Sequence, residues 1–573
     1  MTALSACDCG SALLPAADDA GSSGADSALV DATADAAAID AAGLDATALD
    51  SAADAGTAAA CTQLPAADQE GLVQTSQATL RGRRQDEGWA FLGVRYAAPP
   101  LGERRFARPA PPACEAEIVD ATEVGSLCPQ LGASMDVVGG DEDCLFLNVY
   151  VPARQDDAPL PVLLFIHGGA NIMGGSPEPV AMGAIETGAY DGTAVARDGD
   201  AVVVSFNYRL GALGFLAHPA LDEAGGGAGN WAVHDWIAAL TWVRGNIAAF
   251  GGDPGRVTVF GESAGGLAVC TLLASPLARG LFHGAIMQSG GCDAPGRDHR
   301  ATEATALAED VGCDGADDVA TCLRQVPAEE LVRAPMPMAT STHTWWLPYG
   351  PTVDGVTLLD TPIAVVERGE HNAVPLIVGS NANETTLFYA GPSPITCLDL
   401  EVMYGVAYPD LRQEVSEVYP CSRGLVVHST FIAATTDSQF TCQARRLARA
   451  ARLNQSEPVY RYHFRDGADW GVFVTMGAFH AWELFYLFDS FDGMLYLPSA
   501  GETALGLYMR ESWGRFAASA DPDASAEDLW PAYEVAEDPV ITLDETPLGG
   551  MIIGSDQGLV PECDFWDQHV PSP

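Results

Sequence analysis

The stretch VTVFGESAGG, residues 257–266, decides the fold. Val257, Val259 and Phe260 read as the end of a buried strand, and Leu267, Val269 and Leu272 as the apolar side of a helix that follows at once. A strand that enters a helix through G-x-S-x-G must turn sharply, and small residues are needed for the two backbones to pass so closely. Ser263, at the apex, then points its hydroxyl out of the sheet. Glycine-rich turns of this kind also occur without chemistry, so the serine needs partners elsewhere in the chain.

The neighbouring segments repeat the pattern. PVLLFIHGG (161–169), AVVVSFNY (201–208), HGAIMQSG (283–290) and PLIVGSN (375–381) are short apolar runs that end in small or polar residues. In NWAVHDWIAALTWVRGNIAAF, Val233, Ile237, Leu240, Val243, Ile247 and Phe250 recur at helical spacing, and GGDPG (251–255) stops that helix. Strands alternating with helices define an α/β fold with a large, mainly parallel sheet covered on both faces. Functional residues of such sheets sit beyond the carboxyl ends of the strands, where Ser263 falls.

The chain of 573 residues carries 77 acidic and 28 basic residues, a formal net charge of −49. That excess repels phosphates, which sets aside nucleic acid and anionic membranes as partners. No apolar run approaches the roughly 18 residues that span a bilayer. Fourteen cysteines in such a chain point to an oxidising compartment. The opening MTALSACDCG lacks the basic and apolar parts of an export signal, yet Leu4-Ser5-Ala6-Cys7 matches a bacterial lipobox. The expectation is that residues 1–15 are the end of a longer signal that begins upstream, with Cys7 as the lipidated residue. Residues 16–65, rich in Ala and Asp as in DAAGLDATALDSAADAG, have little apolar surface to bury and read as a disordered linker. A flexible chain of that size spans on the order of 35–40 Å. Residues 66–573 form the globular domain.

A serine nucleophile needs a base, and the base an orienting acid, in the chain order Ser, Asp or Glu, His. The late histidines are His428, His463, His480 and His569. His463 sits in the alternating VYRYHF, His569 in the last few residues, and His428 after an apolar run; His480, in MGAFHAWELF, lies in a loop that enters a helix. Glu384 in PLIVGSNANETTLF and Asp354 in PTVDG both follow possible strands, so both stand as the acid. IHGGANIMGG ends a strand in small residues that let backbone N–H groups approach a developing oxyanion, and the N–H of Ala264 at the start of the following helix adds to them. No His/Cys cluster has metal-ligand spacing, and no cofactor is expected.

Five segments together resemble the type-B carboxylesterase and cholinesterase family: AFLGVRYAAPPLGERRFARPAPP (90–112), EDCLFLNVYVP (142–152), SFNYRLGALGFL (205–216), NIAAFGGDPGRVTVFGESAGG (246–266) and GAFHAWELFYLF (477–488). The resemblance implies an α/β-hydrolase fold and ester hydrolysis through an acyl-enzyme. Ser263 would be the nucleophile, Glu384 the acid and His480 the base, with Gly169, Ala170 and Ala264 forming the oxyanion hole. The family usually has glycine where Ala170 stands. Glu262, Trp345 and Trp346 would line the substrate pocket. The same resemblance pairs Cys128 with Cys144, Cys313 with Cys322 and Cys442 with Cys563. For the remaining cysteines the expectation is Cys61–Cys114 and Cys397–Cys421, with Cys270 a buried thiol. The segment PQLGASMDVVGGDED (129–143) lacks the tryptophan that captures choline in cholinesterases, so a quaternary ammonium site is not implied. The partner is then a small-molecule ester. Amides, carbamates and polyesters remain alternatives for the same triad, and a non-catalytic adhesion protein on this scaffold is the alternative of another class.

Overall fold

Every residue of Leu160–Ile166 is buried, and its side chains divide between two cores. Val162, Leu164 and Ile166 join Trp236, Val269 and Leu272 on one side, while Leu163 and Phe165 join Trp482, Phe488 and Trp513 on the other. An alternating backbone with both faces apolar can only be the inner strand of a sheet covered twice. The computed structural model describes residues 61, 64–132, 137–154, 158–176, 190–222, 227–336, 347–389, 396–421, 427–494, 496–523, 530–545, 551–552 and 560–569. Cys7, the segment 1–15, nearly all of 16–65, Trp345 and Trp346 lie outside the described residues.

Among the described residues the strands are β1 (Leu72–Gln74), β2 (Thr79–Gln85), β3 (Gly88–Arg95), β4 (Ile118–Ala121), β5 (Gln130–Leu131), β6 (Val138–Gly139), β7 (Phe146–Pro152), β8 (Leu160–Ile166), β9 (Val202–Phe206), β10 (Gly252–Glu262), β11 (Gly284–Gln288), β12 (Leu376–Asn381), β13 (Val459–Phe464), β14 (Ile541–Glu545) and β15 (Met551–Ile552). The sheet order is β1-β2-β3-β7-β9-β8-β10-β11-β12-β13-β14-β15, with β4 beside β2 and a separate β5-β6 ribbon. From β9 through β8 to β14 the pairings are parallel. The flanking pairings β1-β2, β2-β3, β3-β7, β7-β9 and β14-β15 are antiparallel. The centre is thus parallel where helices cover it, and the periphery is antiparallel apart from the parallel β2-β4 pairing.

The parallel run sets the site. It puts the carboxyl ends of β8, β10, β12 and β13 on one edge, so the segments that begin at His167, Ser263, Ala382 and Arg465 leave the sheet side by side. Helices Trp231–Asn246 and Ala264–Ala274 contribute to one core; Trp482–Phe488 and Ala500–Ser519 contribute to the other. A third, smaller core joins Leu400, Tyr404, Tyr408, Phe431 and Trp566.

The structure pairs Cys61 with Cys114, Cys128 with Cys144, Cys313 with Cys322, Cys397 with Cys421 and Cys442 with Cys563. Cys270, read from the sequence as a buried thiol, is instead bonded to Cys292. Helix Ala264–Ala274 lies beside β11, whose continuation carries Cys292 back to that helix, a proximity that no spacing in the sequence announces.

Candidate active site

Ser263 follows β10 with φ 62° and ψ −123°, a conformation that side-chain-bearing residues rarely adopt, and its first helical neighbour is Ala264. The turn is possible because of its glycines. A methyl on Gly265 would stand 1.9 Å from the Ile166 carbonyl oxygen, and one on Gly261 would stand 2.5 Å from that of Gly265. The Ser263 N–H donates to Gln288 O at 2.9 Å, and its carbonyl accepts from Leu267 N at 3.0 Å, which fixes the turn at both ends.

Glu384 opens a short turn three residues after β12 and is fully buried. Its Oε1 accepts the Asn381 N–H at 2.7 Å, and its Oε2 lies 2.6 Å from His480 Nδ1. The backbone repeats the link, His480 N donating to Glu384 O at 3.3 Å. Asp354, the other acid the sequence allowed, is occupied elsewhere. Its Oδ1 accepts the N–H groups of Val356, Thr357 and Leu358, and its Oδ2 accepts from Asn230 Nδ2. His463 is in β13, His428 in helix Val427–Thr436 and His569 in helix Val560–His569; His480 is the one of the four set against a carboxylate acid of the β12 loop. Its imidazole is flanked by Phe388 and Phe440, each ring centroid 5.0 Å away.

Glu262, the residue before the serine, has its Oε1 3.1 Å from His480 Nε2. Sequence reasoning missed a further carboxyl, Glu483, which lies three residues after His480 in the first turn of helix Trp482–Phe488. Glu483 accepts from Asn381 Nδ2 and, at 3.3 Å, from Gln288 Nε2. Three glutamates and one imidazole therefore share a buried space. Burial, aided by Glu483 and Glu384, pushes the Glu262 carboxyl well above the usual range. Burial and the Glu384 charge lift Glu483 to about 7. Burial alone would lower His480, but Glu262 and then Glu384 outweigh it and raise the imidazole to about 9. At neutral pH the Glu262–His480 pair holds a proton.

The HGGA segment after β8 lies against the serine: a methyl on Gly168 would come within 3.0 Å of Ser263 Cβ. Gly169 has φ 102°, and a methyl there would stand 2.1 Å from Met173 O, so glycine is required. Ala170 has φ 54°, a left-handed conformation that costs a residue with a Cβ roughly 1–2 kcal/mol. The loop is braced from beneath. Gly169 O accepts from Ile172 N and Met173 N, Tyr208 Oη donates to His167 O at 2.9 Å, and Asn171 Nδ2 donates to Tyr349 O at 3.1 Å. The Ala264 N–H belongs to the first turn of its helix, where amides lack intrahelical partners. Among the described residues no group of three or more His, Cys, Asp or Glu side chains is arranged to hold a metal.

A serine at a strained strand-to-helix turn, with a His–Glu pair and a glycine loop on the same edge of a parallel sheet, defines an α/β-hydrolase. Residues 69–566 match the Carboxylesterase family. The chain is 34% identical to the para-nitrobenzyl esterase of Bacillus subtilis (strain 168), over 82% of this chain and 94% of that protein. It is 33% identical to the fumonisin B1 esterase of Sphingopyxis macrogoltabida, over 87% of this chain and 90% of that one. A solved structure of a thermophilic PNB esterase superposes with a TM-score of 0.73 at 31% identity, covering 86% of this chain and 99% of that chain. The protein belongs to the carboxylesterase family and is a carboxylic-ester hydrolase.

Proposed function

We propose that ester hydrolysis runs through Ser263, His480 and Glu384. The Ser263 hydroxyl attacks the ester carbonyl as His480 Nε2 takes its proton. Glu384 fixes the tautomer through Nδ1 and stabilises the imidazolium. The N–H groups of Gly169, Ala170 and Ala264 meet the new oxyanion, each such donor contributing about 3–4 kcal/mol. His480 then protonates the departing alcohol, and water, activated by the same imidazole, releases the acid from the acyl-serine. The observation that carries this reading is the 2.6 Å contact between Glu384 Oε2 and His480 Nδ1 on the sheet edge that presents Ser263. Ala170 places a methyl group where the family usually has hydrogen, which narrows the acyl side of the site.

Six disulfides fit an extracellular protein, and no described helix is long and apolar enough to cross a membrane. We infer that residues 1–15 and 16–65 serve export and tethering, with Cys7 the anchored residue and residues 66–573 the catalytic domain. The triad is tested with p-nitrophenyl esters, which release a chromophore. Ser263→Ala keeps the circular dichroism of the parent and loses kcat by about 10⁶-fold. Turnover within tenfold of the parent overturns the assignment.

A further inference from the structure

The long helix that begins at Val427 changes its winding partway. It is α-helical over Val427–Thr436 and again over Cys442–Asn454. The turn between them, Asp437–Thr441, is one residue wider, because Cys442 N donates to the carbonyl five residues back, that of Asp437. Each residue advances about 100° round a helix, so the extra one swings the side chains after the turn relative to those before it. Such wide turns are rare and are found most often at functional sites. All five residues of this one are buried.

Both sides of the turn hold the segment that carries the acid. Thr385, next to Glu384 and itself buried, has its Oγ1 2.6 Å from Thr435 Oγ1 and 3.3 Å from Thr436 Oγ1, ahead of the turn. At the far end, Ser380 Oγ of β12 donates to Thr441 Oγ1 at 3.2 Å. Within the turn, Phe440 faces the base. Its buried ring lies 5.0 Å from the His480 imidazole and 6.2 Å from the Phe388 ring. One stretch of helix therefore touches the segment of Glu384 and the ring of His480.

The turn is anchored by other elements. Asp437 Oδ2 accepts from Tyr419 Oη at 2.8 Å, and that oxygen accepts in turn from Trp566 Nε1 at 2.9 Å. Cys442, the first residue after the turn, is bonded to Cys563 in helix Val560–His569, which also carries Trp566. A buried carboxyl is unfavourable beside an apolar residue of similar size, so packing alone does not account for Asp437.

We propose that Asp437 and Phe440 are positioning residues for the hydrolysis. Asp437, held through Tyr419, keeps the turn wide, and the wide turn sets Phe440 against the imidazole so that His480 stays on Glu384. The inference rests on the reading of His480 as the base and adds what holds that base in place. Neither side chain is asked to touch the ester. Loss of either lets the imidazole drift, and a misplacement of about 1 Å costs on the order of 10²-fold in rate while leaving substrate binding intact.

The test measures kcat and KM on p-nitrophenyl acetate, with kcat counted per Ser263 that a fluorophosphonate labels at completion, so that unfolded chains drop out. Asp437→Ala and Phe440→Ala should each lose kcat by about 10²-fold, with KM within about threefold of the parent. Because they act through one turn, the losses should not multiply: the double variant should stay within about threefold of Phe440→Ala alone. Tyr419→Phe, which removes only the donor hydroxyl, should lower kcat in the same sense. Asp437→Asn, which keeps an oxygen for that hydroxyl, should restore kcat to within about threefold of the parent. An unchanged kcat in either alanine variant overturns the proposal, as do losses that multiply in the double variant or an asparagine variant as slow as the alanine one. Should the alanine variants not fold, Tyr419→Phe and Asp437→Asn decide between them, and equal kcat in the two overturns the proposal. His480→Ala is the control. If it is inactive beside a parent-like Asp437→Ala, this proposal alone falls; if it turns over within about tenfold of the parent, the reading of the base falls too.

Discussion

Replacing Glu262 with glutamine separates the charge next to the base from its shape. In the structure His480 has Glu262 3.1 Å from Nε2 and Glu384 2.6 Å from Nδ1. Burial pulls the imidazole down, the two carboxylates pull it up, and the balance leaves it at about 9. A general base must be neutral to accept the serine proton, so kcat/KM of the free enzyme climbs as pH rises through that value. With a pKa of about 9, about 1% of the imidazole is neutral at pH 7. Glutamine preserves size and a carbonyl acceptor while removing the charge, and loss of one adjacent opposite charge lowers such a pKa by about 1–3 units. A fall of about 2 units would make about half the imidazole neutral at pH 7, a gain of roughly fiftyfold in competent base. The same substitution removes a charge that steadies the imidazolium in the transition state, so the alkaline ceiling drops. The variant is therefore faster than the parent near neutrality and slower at high pH, and the two profiles cross. Initial rates on p-nitrophenyl acetate from pH 5 to pH 10, corrected for spontaneous hydrolysis, give both limbs. A limb at the same pH in parent and variant would refute the coupling between Glu262 and His480.

Three further outcomes follow from the packing. Gly169→Ala puts a methyl 2.1 Å from Met173 O and displaces the oxyanion loop, so kcat should fall by about 10²–10³ with KM changing far less; an unchanged kcat contradicts the loop's role. Asp466 is raised to about 8, first by burial and then by Glu545, Glu502 and Asp544, against the opposing hydrogen bond from Tyr486. Its folded value lies above the unfolded 3.8, so the stability it lends is present below that value and is lost as pH rises toward 8. Asp466→Asn should accordingly gain in Tm over the parent between pH 5 and pH 9, and a constant difference counts against this. Replacing Cys270 and Cys292 together by alanine should cost about 2–4 kcal/mol, and a peptide map without reductant should recover the two peptides joined; an alkylated Cys270 in the parent contradicts the pairing.

The sheet is legible in the sequence because its inner strands are apolar throughout. PVLLFI, AVVVSF and PLIVGSN announce β8, β9 and β12, and strict burial leaves them no other reading. The turn at Ser263 is legible for the same reason, since Gly261 and Gly265 stand where any methyl would strike backbone. The environment of the base is not. Glu384 and Asp354 both follow apolar runs; the family resemblance favours Glu384, and the fold shows Asp354 capping a turn while Glu384 meets His480. Glu262, Phe388 and Phe440 come to His480 from three separate segments, and their approach is set by long-range packing that no local period encodes. The one available signal was Glu483, a charged residue three positions after His480 on an otherwise apolar segment. Cys270 escaped for a related reason, because a bridge between neighbouring elements depends on how they pack rather than on spacing.

Labelling with a fluorophosphonate, followed by peptide mapping, addresses the nucleophile most directly. The account predicts one stoichiometric adduct, on the peptide that contains Ser263, formed faster as pH rises and absent from Ser263→Ala. An adduct on any other residue, or undiminished labelling of the alanine variant, contradicts it.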